Sequence, residues 1–242
     1  MEQVDQGDLF GLIRLGPTPT EDRAKREFYR KFLGEIAAAQ GISEEQLAAE
    51  ETEPVPLGLE NWRPVNALLR KLNGIRAIAD LSIEQFTRDV FYYLEYNYIR
   101  QLIDKVVEDG IPSGEPCVVV AHSLGTIVSY NVLARRASAQ AGNLTNIRAW
   151  ITLGCPLGIQ AIYDRLPSDG GPRRAPFGMP LWYNARDPVD VVALSPIPEP
   201  LFAQPPVVEN SSHVQNKTSN HHGIEGYLND AQVAQRIYLA AS

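Results

Sequence analysis

The segment Pro116-Cys117-Val118-Val119-Val120-Ala121 is apolar throughout and rich in valine. A short continuous apolar run of this kind suits a strand buried on both faces, as in a parallel sheet. A helical pattern follows almost at once, from Gly125 to Arg136, with Arg135 and Arg136 suited to its negative carboxyl end. Ile147 to Leu153 reads as a second strand, and Pro180 to Asn184 as a third. A final helix starts near Asp230 within Ile224 to Ala241. Buried strands alternating with helices predict an α/β fold: a doubly wound, mostly parallel sheet with helices on both faces.

The first 115 residues read mostly as helix. Thr20 to Gln40 puts Phe28, Phe32, Leu33 and Ile36 on one face and stops at Gly41. Ser43 with Gln46, and Ser82 with Gln85, have the spacing of capping boxes. Pro54 to Pro64 is rich in breakers, Val65 to Leu72 reads as a helix, and Ser82 opens another that runs to about Tyr93. A further helix from about Tyr96 to Glu108 is expected to bury Ile99, Leu102, Ile103, Val106 and Val107. The proline-rich stretch Pro196 to Pro206 and the stretch Gly170 to Pro176 read as surface loops. At 242 residues, one α/β domain can account for residues 1–242. Residues 1–115 form its mostly helical part and 116–242 the part that carries the chemistry.

Composition narrows the function. Lys plus Arg is 22 and Asp plus Glu is 29, a net charge of -7, opposite to the usual balance of a nucleic-acid binder. No stretch has the length and apolarity of a spanning helix, and the amino terminus lacks the layout of a signal peptide. The two cysteines, Cys117 and Cys155, do not make a disulfide framework. The expectation is a soluble, cytoplasmic protein with reduced thiols, no nucleic-acid partner and no transmembrane segment.

Between the valine strand and the helix stands Ala121-His122-Ser123-Leu124-Gly125. This is the context of a nucleophile elbow, in which a serine sits on a tight strand-to-helix turn. Small residues must flank it two positions away, here Ala121 and Gly125. The helix amino terminus beneath the serine favours developing negative charge. Such a serine needs a base and an acid further along the chain. Asp187 and Asp190 both follow the third strand, and either can serve as the acid. His221 and His222 stand just before the last helix, where the base is expected, and only one of two neighbours can point at Ser123. His213 is a further histidine in the same region. His122, inside the elbow, is expected to pack beside the turn. The histidine spacing does not match a zinc pattern, so neither a metal nor another cofactor is expected.

Cys117-Val-Val-Val-Ala-His-Ser-Leu-Gly-Thr, Ile151-Thr-Leu-Gly-Cys-Pro-Leu-Gly, Leu181-Trp-Tyr-Asn and His222-Gly-Ile-Glu-Gly-Tyr-Leu resemble lipase and esterase members of the bacterial α/β-hydrolase superfamily. The resemblance covers about residues 116–240. It implies Ser123 as nucleophile, Asp190 in preference to Asp187 as acid, His222 in preference to His221 as base, and the Leu124 N–H as an oxyanion donor. It implies hydrolysis of a small-molecule carboxylic ester through an acyl-enzyme. The same residues would also serve a thioesterase or acyltransferase, and a catalytically silent hydrolase fold used for binding is the reading from another class. Cys155 stands where the family usually has serine, and Ala121 where it usually has glycine. The family also opens with an apolar strand ending in His-Gly. Phe10-Gly-Leu-Ile-Arg-Leu15 is the nearest run here and lacks that motif, which leads to the expectation of an internal start at Met1, with a strand and helix before it.

Overall fold

A computed structural model describes residues 19–43, 45–47, 63–73, 83–139, 144–167, 173, 175, 176, 178–202 and 205–242. The Phe10–Leu15 run, Ser82 and most of 170–176 lie outside the described residues. Helices α1 (Pro19–Ala39), α2 (Arg63–Asn73), α3 (Ile83–Glu95) and α4 (Asn97–Gly110) come first. Then follow β1 (Cys117–His122), α5 (Leu124–Ala139), β2 (Ile147–Leu153), a one-turn 3₁₀ segment at Pro156–Gly158 and α6 (Gln160–Tyr163). The chain closes with β3 (Trp182–Ala185), a 3₁₀ turn at Glu199–Phe202, β4 (Val208–Ser211), α7 (Ile224–Leu228) and α8 (Ala231–Ala241).

The strands form one sheet in the order β1-β2-β3-β4, parallel at every pairing. Helices cover both faces, so the α/β architecture with a doubly wound sheet matches the sequence reading. On one face Phe28, Phe32, Phe91, Ile127, Trp150 and Trp182 belong to a single buried core that joins the front helices to the sheet. On the other, α7 and α8 contribute Tyr227 and Val233 against Ile151 and Tyr183. Trp150 and Trp182 stack at 4.4 Å, and their ring N–H groups donate to Ser129 and Thr152. Asn184, two residues past Trp182 and so on the same face, accepts from Thr152 and donates to Asn210 of β4. Every polar atom brought into this face by the Trp-Tyr-Asn strand therefore has a partner.

The capping box at Ser43 forms in both directions, Ser43 N–H to the Gln46 side chain and Gln46 N–H to Ser43 Oγ. Asp230 caps α8 by accepting from the Gln232 and Val233 N–H groups. Two expectations are corrected. Strand β1, which ends the strand order among the described residues, is not buried on both faces: Val118 and Val119 are half-buried and Val120 is exposed. Helix α4 does not bury Leu102 and Val106, which are 52 % and 73 % exposed. It turns Asp104 inward instead. Asp104 accepts from Tyr93 Oη at 2.6 Å and from Arg135 at 2.9 Å, and Asn131 donates to Tyr93 Oη at 2.7 Å. Positions two before and two after Asp104 lie about 200° round the helix, so satisfying this polar cluster rotates both apolar residues into solvent.

Candidate active site

The register of the sheet makes the site. His122 pairs with Leu153, and Leu153 with Ala185, which pairs in turn with Ser211. The carboxyl ends of all four strands are therefore flush. The ladder runs one residue beyond them: Ser123 N–H donates to Leu153 O, Gly154 N–H to Ala185 O and Arg186 N–H to Ser211 O. In open parallel sheets this edge is where ligands bind.

Ser123 has φ +56°, and no other non-glycine residue among those described has positive φ. A left-handed serine between an extended strand and a helix is strained, and it persists because β1 and α5 fix the chain on both sides. Thr126 secures the turn, donating both its N–H and its hydroxyl to Ser123 O. Leu124 is the first residue of α5.

The structure brings Ser123, His222 and Asp190 together. Ser123 Oγ lies 2.7 Å from His222 Nε2, and His222 Nδ1 lies 2.9 and 3.1 Å from the two Asp190 oxygens. A carboxylate only accepts, so Nδ1 carries the proton and Nε2 faces the serine as an acceptor. Asp190 is fully buried. Burial alone would push its carboxyl up. The hydrogen bond and electrostatic attraction from His222, and donors from Tyr227 and the Val192 N–H, outweigh it and hold the group below its usual range. The loop carrying Asp190 is itself clamped: Arg186 donates to the Ala193 and Leu194 carbonyls, and Asp190 Oδ1 accepts from the Val192 and Ala193 N–H groups.

The other candidates lie elsewhere. Asp187 accepts from the Val189 and Asn216 N–H groups and does not reach His222. His221 Nδ1 is buried 3.5 Å from Asp187 without a hydrogen bond, and His221 lines, with His213, a hollow that Ser123 does not reach. His122 packs its ring 4.8 Å from that of His222, and its Nε2–H donates to the His222 carbonyl at 2.6 Å. That bond leaves it no capacity to accept the serine proton at Nε2. Burial, then electrostatic disfavour from the neighbouring His222 ring, pushes His122 down to about 4. Cys155 is buried beneath the site, and burial pushes its thiol up to about 11, which keeps it protonated and unreactive. Both cysteines are free thiols.

Sequence reasoning missed four contributors. Gly154 has φ +54°, and a Cβ there would come within 3.0 Å of Asp190, 3.2 Å of His222 and 3.3 Å of His122. Asn216 donates to the Asn220, His221 and Gly223 carbonyls, knotting the loop that presents His222. Gly226 leaves room for that amide, since a Cβ there would overlap it. Phe86 of α3 meets the His222 ring edge-on at 5.7 Å, so the helical front does reach the site. The glycines were legible as Leu-Gly-Cys and Glu-Gly-Tyr; the contacts that require them were not.

No protein-family model matches this chain, and no curated protein or solved structure matches it either. Among the described residues, no group of three or more His, Cys, Asp or Glu is placed to hold a metal ion. No described helix is long and apolar enough to cross a membrane.

Proposed function

We propose that this chain is a serine hydrolase of the α/β-hydrolase type, acting on a carboxylic ester. The observation that carries the reading is the continuous hydrogen-bonded line Ser123–His222–Asp190, with the serine held at positive φ at the head of α5. The motifs around Ser123, Trp182 and His222 support the same superfamily.

The arrangement supports each step of such a reaction. Ser123 Oγ attacks the acyl carbonyl carbon as His222 Nε2 takes its proton. Asp190 holds the ring in the required tautomer and stabilises the cation that forms. The Leu124 N–H and the amino terminus of α5 meet the oxyanion. Collapse expels the alcohol, which receives the proton from Nε2. Water then attacks the acyl-serine, losing a proton to the same nitrogen, and the carboxylic acid leaves as Ser123 regains its hydrogen. No step requires a cofactor.

The test is covalent labelling with a fluorophosphonate, which reacts only with an activated serine. Labelling of the native chain that disappears in Ser123→Ala, together with hydrolysis of short acyl nitrophenyl esters, is the expected result. A folded native chain that neither labels nor hydrolyses overturns the reading.

A further inference from the structure

Tyr227 lies on α7, five residues past His222, and its ring is completely buried. Its hydroxyl donates to Asp190 Oδ2 at 2.7 Å and accepts from the Asp187 N–H at 3.1 Å. The first bond falls on the carboxylate oxygen that lies closer to His222 Nδ1. The second anchors the hydroxyl to the first residue of the acid-bearing turn. Burial first, then the Asp190 charge, keeps the phenol far above its ordinary range, so it stays protonated and remains a donor.

We infer that Tyr227 is a positioning residue for the proposed hydrolysis: it aims the Asp190 carboxylate at His222 and shares its charge. The inference rests on the serine-hydrolase reading for its kinetic consequence, though not for its structural one. The carboxylate is met by the His222 imidazole, the Tyr227 hydroxyl and the Val192 and Ala193 N–H groups, with the neutral His122 ring next to His222. Asp187, joined to Asp190 by a turn, stands 3.5 Å from His221 Nδ1. Removing the phenol donor leaves more negative charge on Oδ2, directed at the Nδ1–H. The histidine then holds its second proton more firmly, and the carboxylate loses one of the contacts fixing its plane.

The experiment compares the native chain with Tyr227→Phe, which keeps the ring and its packing. Site-specific 3-fluorotyrosine at 227, a stronger donor of nearly the same volume, serves as the opposing variant. Two readouts are taken: kcat/KM on a nitrophenyl ester against pH, and the low-field proton resonance of the His222–Asp190 bond by NMR. Tyr227→Phe is expected to lower kcat about 10-fold with KM little changed, as for loss of one hydrogen bond to a charged group. The acid limb of its profile moves to higher pH and the resonance shifts; fluorotyrosine moves both the other way. A limb and resonance that stay put in both variants overturn the inference, since a purely structural role would alter only the amount of folded protein. The resonance decides the matter even where the native chain fails to label or hydrolyse, an outcome that sinks the hydrolase reading alone.

Discussion

Two histidine–aspartate pairs sit side by side in this chain, His222 with Asp190 and His221 with Asp187, and the surroundings of their histidines differ. The first pair is hydrogen bonded through Nδ1, fully buried at the aspartate and in reach of a hydroxyl. The second is 3.5 Å apart and partly exposed at the histidine, which lines a surface hollow. The aspartates divide the labour. Asp190 turns toward the flush strand ends, whereas Asp187 spends its oxygens on two backbone N–H groups and holds the loop in shape. Neighbouring residues of identical type thus acquire different chemistry from the backbone that presents them.

Substitution at the bases gives the widest separation. His222→Ala is expected to lower kcat by about 10⁶, comparable with Ser123→Ala, because members of such a line act as a unit. His221→Ala should stay within about 10-fold of the native value, as its side chain touches no reacting atom. Steady-state kinetics on a nitrophenyl ester decides, and equal losses would erase the distinction between the pairs.

The acids should part in kind as well as degree. Asp190→Asn is expected to cost about 10⁴ in kcat with the fold retained, since an amide favours the wrong imidazole tautomer. Asp187→Asn should act first on stability, by about 1–3 kcal/mol, through the backbone donors it leaves poorly matched. Paired kinetic and thermal-unfolding measurements would show a crossed pattern; a parallel one contradicts the division of labour.

A smaller effect sharpens the geometry. Gly154→Ala places a methyl group against Asp190, His222 and His122 together. The displacement should slow fluorophosphonate labelling by about 10²-fold while the sheet stays intact. Unchanged labelling kinetics would mean that the three side chains yield without losing alignment.

The last effect concerns pH and acts on stability alone. His122 is held near 4 when folded, below the 6.5 of a free histidine. Above 6.5 both states leave it neutral and pH has no effect through this group. As pH falls from 6.5 to 4 the unfolded chain binds a proton that the folded chain refuses, so stability drops, by at most about 3 kcal/mol. Urea denaturation over this range should show a shallower loss for His122→Gln than for the native chain. Identical slopes would remove the linkage.

Much of this was readable from the chain. The valine strand, the turn at Ser123 and the Ile147–Leu153 strand fall where the local sequence pattern places them, because each is contiguous. The preference for Asp190 and His222 came from resemblance to known motifs; spacing alone left Asp187 and His221 open. Strand β4 was not anticipated: Val208-Glu209-Asn210-Ser211 is largely polar and exposed, and it is tied to β3 by the Asn184–Asn210 pair, a contact between distant residues. Leu102 and Val106 were misplaced for a related reason, as Asp104 outranks them only once Tyr93 and Arg135 are near. Tyr227 was legible as a residue next to a glycine and silent as a neighbour of Asp190.

The Asn216 amide has a bearing on how such a molecule would age. Its nitrogen points at three carbonyl oxygens, those of Asn220, His221 and Gly223. Spontaneous deamidation would exchange that nitrogen for a charged oxygen and turn three attractions into three repulsions. The loop behind His222 would then come apart with Ser123, His222 and Asp190 themselves chemically intact, so one slow lesion would set a clock on the whole arrangement.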